Sequence, residues 1–184
     1  MGTIGKPAPA ILIAGIMYSQ EELLNKALNK FSVRYGDIEL SSATFRFDMT
    51  DYYTPEMGNT IHKLFVCFHN HIEMNELPAI KRFTNDIELE FACTIDGKTH
   101  RQVNIDPGYV TLAKLVLAST KDYSHRIYLD DGIYGETTLR YVRDSFTAID
   151  TTYPDYQTPL AISFFNEARN YLKRNIKTWT TKQE

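Results

Sequence analysis

Nine uncharged, almost wholly apolar residues run from Ala10 to Tyr18, with Gly15 near the middle. The run is too short to span a bilayer, and its unbroken apolar character fits a central strand buried on both faces. The rest of the chain has to be arranged around that strand. The segment before it, Met1 to Pro9, has one lysine and two prolines and lacks a signal-peptide cleavage pattern, so the expected location is the cytoplasm.

Downstream, the periodicity alternates. Ser19 with Glu22 forms a capping-box pattern ahead of the stripe Leu23, Leu24, Ala27, Leu28 and Phe31, which predicts a helix ending at Gly36. Ile38, Leu40, Phe45 and Phe47 alternate with polar residues around a Ser41-Ser42 break, as in a bulged strand near a sheet edge. Lys63 to Phe68 reads as a second central strand. Asn75, Pro78 and the stripe Leu77, Ile80, Phe83, Ile87 and Phe91 predict a second helix. Asp96-Gly97 then turns the chain into the strand Arg101 to Ile105.

This βαββαβ order is that of the ferredoxin-like split βαβ core, an α+β arrangement in which helices cover one face of an antiparallel sheet. The remainder extends it as an antiparallel meander: Tyr109 to Ala118, a hairpin of Arg126 to Leu129 and Ile133 to Val142 around Asp131-Gly132, and Phe146 to Ile149. Thr158-Pro159 opens a last helix with Ala161, Phe164, Phe165, Ala168, Tyr171 and Leu172 inward. No linker or repeat divides residues 1–184, so a single domain is expected, with its core at about 10–173. A chain of 184 residues buries roughly 70% of its unfolded surface on folding, enough to need no metal or disulfide staple.

Net charge is −3 and no long basic stripe occurs, which argues against duplex nucleic acid as the main partner. The cysteines, Cys67 and Cys93, match no paired metal-ligand spacing and read as reduced thiols. A phosphate-binding P-loop is excluded, because Gly97-Lys98-Thr99 is preceded by Ala92 where the motif needs glycine.

Polar chemistry gathers in four places. Asp48, Asp51 and Glu56 leave the second strand within nine residues and could hold a divalent cation through oxygen ligands, against the plainer reading of an acidic loop. Asp106-Pro107-Gly108-Tyr109 reads first as a turn, with Asp106 and Tyr109 as candidate ligand contacts. Ser119 to Arg126 is the densest set of proton donors and acceptors. It combines Ser119, Lys121, His125 and Arg126, and two cations beside an imidazole suit an anion whose proton must be moved near neutral pH. Thr152 to Tyr156 is expected to pack its phenols over the start of the last helix. His69-x-His71 is a fifth, weaker pattern, able to ligate zinc if His125 or Glu73 supplies a third ligand. If the chain reverses at Pro107-Gly108, Asp48 and Asp106 share one rim of the sheet while His69 and Ser119 to His125 share the other, giving two sites.

The stretches Phe47 to Tyr53 with Glu56-Met57-Gly58, Asn104 to Tyr109, Leu115 to Leu129 and Thr152 to Tyr156 resemble a prokaryotic family known as domain of unknown function 4416, from Ala10 to about Lys173. The resemblance supplies no function. Some members carry the label "GTP-binding protein", and Thr120-Lys121-Asp122 lacks the intervening residue of the guanine-recognition signature. The functional expectation is binding or turnover of an anionic small molecule, a phosphate ester or nucleotide, with Lys121 and Arg126 on the anion and His125 as acid or base. The rival is a noncatalytic interaction module docking through Tyr52, Tyr53, Tyr153 and Tyr156.

Overall fold

The computed structural model describes residues 2–181. The chain begins with β1 (Ala10–Tyr18), α1 (Glu21–Tyr35), β2 (Ile38–Ser41), β3 (Phe45–Arg46) and a short α2 (Thr54–Met57). Then follow β4 (His62–Ile72), α3 (Leu77–Glu90), the hairpin β5 (Cys93–Ile95) and β6 (Lys98–His100), and β7 (Val103–Val110). β8 (Lys114–Ser119), β9 (Ile127–Asp130), β10 (Ile133–Val142), β11 (Ser145–Ala148) and α4 (Pro159–Thr181) complete it. It is a mixed α+β architecture. Nine strands make one sheet in the order β11-β10-β8-β7-β1-β4-β2, with β3 beside β4 and β9 beside β10. All of its pairings are antiparallel.

β1 is buried at every position, as its uninterrupted apolar sequence predicts. Its side chains alternate between two cores. Leu12, Ala14 and Ile16 pack with Leu24, Ala27 and Phe31 of α1 and Ile80 and Ile87 of α3. Ile11 and Ile13 join Phe65, Leu139 and the Phe164, Phe165, Ala168 stripe of α4 on the opposite face. The expectation that helices cover only one face is therefore corrected: α4 closes the other. A strand apolar on both sides needs both layers, because leaving either face in water forfeits roughly 25 cal/mol for each Å² of apolar surface left exposed.

Local signals act much as read, with shifts of a residue or two. Gln20 rather than Ser19 precedes α1, whose Glu21 and Glu22 favour its positive N-terminal end. Gly36, at φ 92°, terminates it with its N–H on the Ser32 carbonyl. A capping box between Glu73 and Glu76 leads into α3, in place of Asn75. Thr158 Oγ1 accepts from Ala161 N–H at 3.2 Å and starts α4.

The larger correction concerns Pro107-Gly108. The chain does not reverse there. β7 runs straight through both residues to Val110, and the reversal falls at Thr111 to Ala113. Proline's fixed φ suits an extended strand. Gly108 serves close strand packing, since a Cβ there would collide with the Val116 carbonyl and lie 2.7 Å from Leu117. Asp106 and the start of the Ser119 loop thereby come to the same end of β7 and β8, so the expectation of two separate rims is overturned.

Candidate functional site

The β7–β8 ladder stops at Gly108–Leu117, although β7 extends back to Val103 and β8 on to Ser119. Beyond that point the two strands part, and α3 fills the role of the missing neighbour. Ile105 N–H donates to Glu88 Oε1 at 2.7 Å, and the Ile105 carbonyl accepts from Lys81 Nζ at 2.8 Å. Lys81 and Glu88 are buried charged residues that are tolerated because each meets a backbone group that no strand reaches. Burial raises the Glu88 carboxyl above its ordinary range, with the Lys81 charge opposing.

Across this open seam, lined by Lys81, Asn85 and Glu88 of α3 and by Tyr153 to Tyr156 ahead of α4, lies a cavity of about 750 Å³, within the range of small-molecule sites. Its floor follows from strand register. Gly15 stands opposite Phe65 and Asp106, and Met17 opposite Lys63 and Asn104. Leu117 stands opposite Glu136 on the far side of the seam. Phe47, Thr50, Tyr52 and Tyr53 form one wall, Ser119, Thr120, Lys121 and Tyr123 another, and Tyr153 to Tyr156 close it beneath α4. Arg101 clamps the first wall with two bonds of 2.8 and 2.7 Å to Glu56 and one of 2.8 Å to Asn104. That bidentate pair holds the Glu56 carboxyl below its usual range.

The Ser119 to Arg126 loop is built around one buried network. The Arg126 guanidinium reaches Glu136 at 3.3 and 3.5 Å, the Lys121 carbonyl at 2.9 Å and the Tyr153 hydroxyl, with Tyr123 stacked beneath it at 4.5 Å. His125 Nε2 lies 2.6 Å from Glu136 Oε2. Four of the five guanidinium N–H groups are thus used inside the protein. Lys121 projects from this loop, donates to the Tyr52 hydroxyl at 3.2 Å and sits over that ring at 4.7 Å.

At the inner end, Lys63 and Asp155 form a buried pair at 2.6 Å. The ammonium is ringed by Phe47, Phe65 and Tyr156 at 5.0 to 5.6 Å. The Tyr156 hydroxyl has no protein hydrogen-bond partner and lies over Gly15, 2.6 Å from where a Cβ would stand. Desolvation above all, and then the Asp106 carboxylate, hold this phenol well above its ordinary range, so it is protonated.

Of the residues expected from sequence, Asp106, Ser119, Lys121 and Arg126 come together in this cavity. His125 stands behind Glu136 and does not line it. Tyr109 packs with the α1 and α3 core. Asp48 and Asp51 are exposed beside the wall residues, and among the described residues no group of three or more His, Cys, Asp or Glu is placed to hold a metal ion. His69 bonds Glu39 and Tyr171, and His71 stacks on Trp179. Tyr156 is buried, so it contributes nothing to an aromatic docking patch.

Sequence reading missed Lys63, Lys81, Glu88, Arg101 and Glu136, and it gave Tyr156 no place in a ligand site. A signal existed for three of them. Lys63 opens an otherwise apolar strand, and Lys81 and Glu88 stand seven residues apart on the buried stripe of α3, alongside Leu77 and Thr84.

The chain belongs to the family described as domain of unknown function 4416 (DUF4416), whose model matches residues 8–171. No curated protein matches it. Among the described residues no helix is long and apolar enough to cross a membrane.

Proposed function

We propose that this DUF4416 chain binds a small anionic molecule, a phosphate ester or a carboxylate, in the cavity over the β7–β8 seam, with Lys121 meeting the anion. The observation that carries this reading is the pairing of charges around the cavity. Lys63, Lys81, Arg101 and Arg126 each have a carboxylate within 4 Å. Among the described residues Lys121 has none, and it is held at the mouth by Tyr52. A cation left unneutralised, beside the hydroxyls of Thr50, Ser119 and Thr120, supplies both charge and donors for an oxyanion.

Arg126 fixes the loop that carries Lys121, through its bond to the Lys121 carbonyl. His125 is a positioning residue: its contact to Glu136 supports binding rather than proton transfer to a ligand. Nucleotides fall within the proposed class. For the core formed by β1, α1, β2, β4, α3 and β7, we propose a ferredoxin-like split βαβ unit. The strand order β7-β1-β4-β2, antiparallel throughout, supports it.

The test is a thermal shift screen of inorganic phosphate, nucleotides, phosphorylated metabolites and carboxylates at constant ionic strength. Binding to the folded state must raise the melting temperature. The expected result is a saturable rise that disappears in Lys121→Ala and persists in Lys26→Ala on exposed α1. Silence across the whole panel, or an undiminished shift in Lys121→Ala, overturns the reading.

A further inference from the structure

We infer that the ligand's other end is a neutral, hydroxylated group held between Tyr156 and Asp106, so that the preferred ligand class is a polyol or sugar carrying a single phosphate. This rests on the anion reading above and concerns the opposite end of the same cavity.

The inner end is polar but carries no surplus positive charge. Lys63 is matched by Asp155 at 2.6 Å, and aromatic rings cover the rest of its ammonium. Asp106 stands beside Gly15 in register and adds a negative charge, so a second anionic group is repelled here. A dianion bearing charge at both ends therefore does not fit.

Two groups at this end have unused hydrogen-bonding capacity, and they are complementary. The Tyr156 hydroxyl is buried, protonated and without a protein partner. Leaving such a group unpaired is unfavourable, and a bound acceptor would remove that cost. Asp106 is part exposed. Its Oδ2 accepts from Asn104 at 3.1 Å, and Lys81 stands 3.8 Å from its Oδ1, leaving lone pairs for a ligand donor. A ketone can accept from Tyr156 but gives Asp106 nothing. An ammonium does the reverse. An alcohol does both, accepting from the phenol and donating to the carboxylate.

Gly15 makes room for the Tyr156 hydroxyl. Any side chain there would strike the Tyr156 hydroxyl and crowd Lys63 Cε at 3.2 Å. From Gly15 to β8, which carries the Lys121 loop, the distance is at least two strand spacings, ~10 Å. A pentose or hexose phosphate bridges that span, and inorganic phosphate does not.

Titration calorimetry with inorganic phosphate, ribose 5-phosphate and glucose 6-phosphate tests this in wild type, Tyr156→Phe and Lys121→Ala. The expected result is that at least one sugar phosphate binds roughly tenfold or more tighter than inorganic phosphate, as one or two added hydrogen bonds allow. Tyr156→Phe should erase that advantage, leave phosphate affinity unchanged and keep or raise the melting temperature of the free protein. Lys121→Ala should weaken all three. Gly15→Ala, which pushes the phenol aside, should reproduce the loss of selectivity.

Two results overturn the inference while leaving the anion reading standing. One is phosphate binding as well as both sugar phosphates. The other is Tyr156→Phe lowering the melting temperature while sparing selectivity, which would make the phenol a structural residue. Failure of all three ligands to bind wild type removes this inference, and anion binding falls with it if the wider panel is silent too.

Discussion

Arg126 lies at the junction of the candidate site, joining Glu136, Tyr153 and the Lys121 carbonyl. Arg126→Ala leaves the buried Glu136 carboxylate without its guanidinium partner, and removing one partner of a buried charge pair costs about 3 to 5 kcal/mol. Urea denaturation should report a loss of that size, together with weaker anion binding as the Lys121 loop loosens. Glu88 predicts a pH effect of opposite sense to that of an ordinary ion-paired carboxylate. Its folded pKa is raised, by burial above all, so the folded state retains a proton after the unfolded chain has released one. Its contribution is fully present below the ordinary glutamate range, about 4.3, and is lost as pH rises through the raised value. The melting temperature of wild type relative to Glu88→Gln should therefore fall as pH rises from the ordinary glutamate range through the raised value. A difference that grows with pH would contradict the assignment. At this scale the loop from Ser119 to Arg126 was legible, because eight consecutive polar side chains make up a connection between apolar segments. Tyr156 was not, since a phenol packed on a helix and a phenol without a partner have the same local sequence.

Among the elements, α3 has a role that helix periodicity does not reveal. It packs Leu77, Ile80 and Ile87 on the sheet and also completes the hydrogen bonding of β7 where β8 departs. Lys81→Met should leave the Ile105 carbonyl unpaired at a cost of about 1 to 3 kcal/mol. Hydrogen exchange should then accelerate over Val103 to Asp106 and remain slow over Gly108 to Val110, where β8 still pairs. Equal protection across β7 in the variant would show that the helix is not acting as the missing neighbour. Legibility failed here for a definite reason. Pro107-Gly108 was read as a turn by local chemistry, yet proline's φ and a side-chain-free residue also suit a strand lying close against another. Only the position of the Val116 carbonyl decides between them.

On the scale of the whole molecule, one sheet is shared by two cores, one under α1 and α3 and one under α4. Phe165 is fully buried against Phe65 and Tyr156. Phe165→Ala should cost about 3 to 5 kcal/mol and disturb the cavity through Tyr156. The single tryptophan, Trp179, stacks on His71 at 4.9 Å, so its fluorescence reports whether α4 is docked on β4. Because β1 contributes to both cores, fluorescence and far-ultraviolet circular dichroism should give coincident urea transitions. An earlier fluorescence transition would mean that α4 detaches as a separate unit. The order of the longer strands and helices, though not the short α2, β5 and β6, together with the burial of β1 and the inward stripe of α4, could be read from sequence alone, because periodicity and apolar run length are local properties of the chain. That α4 takes the second face, that the sheet opens between β7 and β8, and that every lining cation except Lys121 is neutralised were decided by tertiary structure. Charge pairing and cavity shape depend on residues far apart in the chain, such as Lys63 and Asp155, that only the folded backbone brings within 2.6 Å.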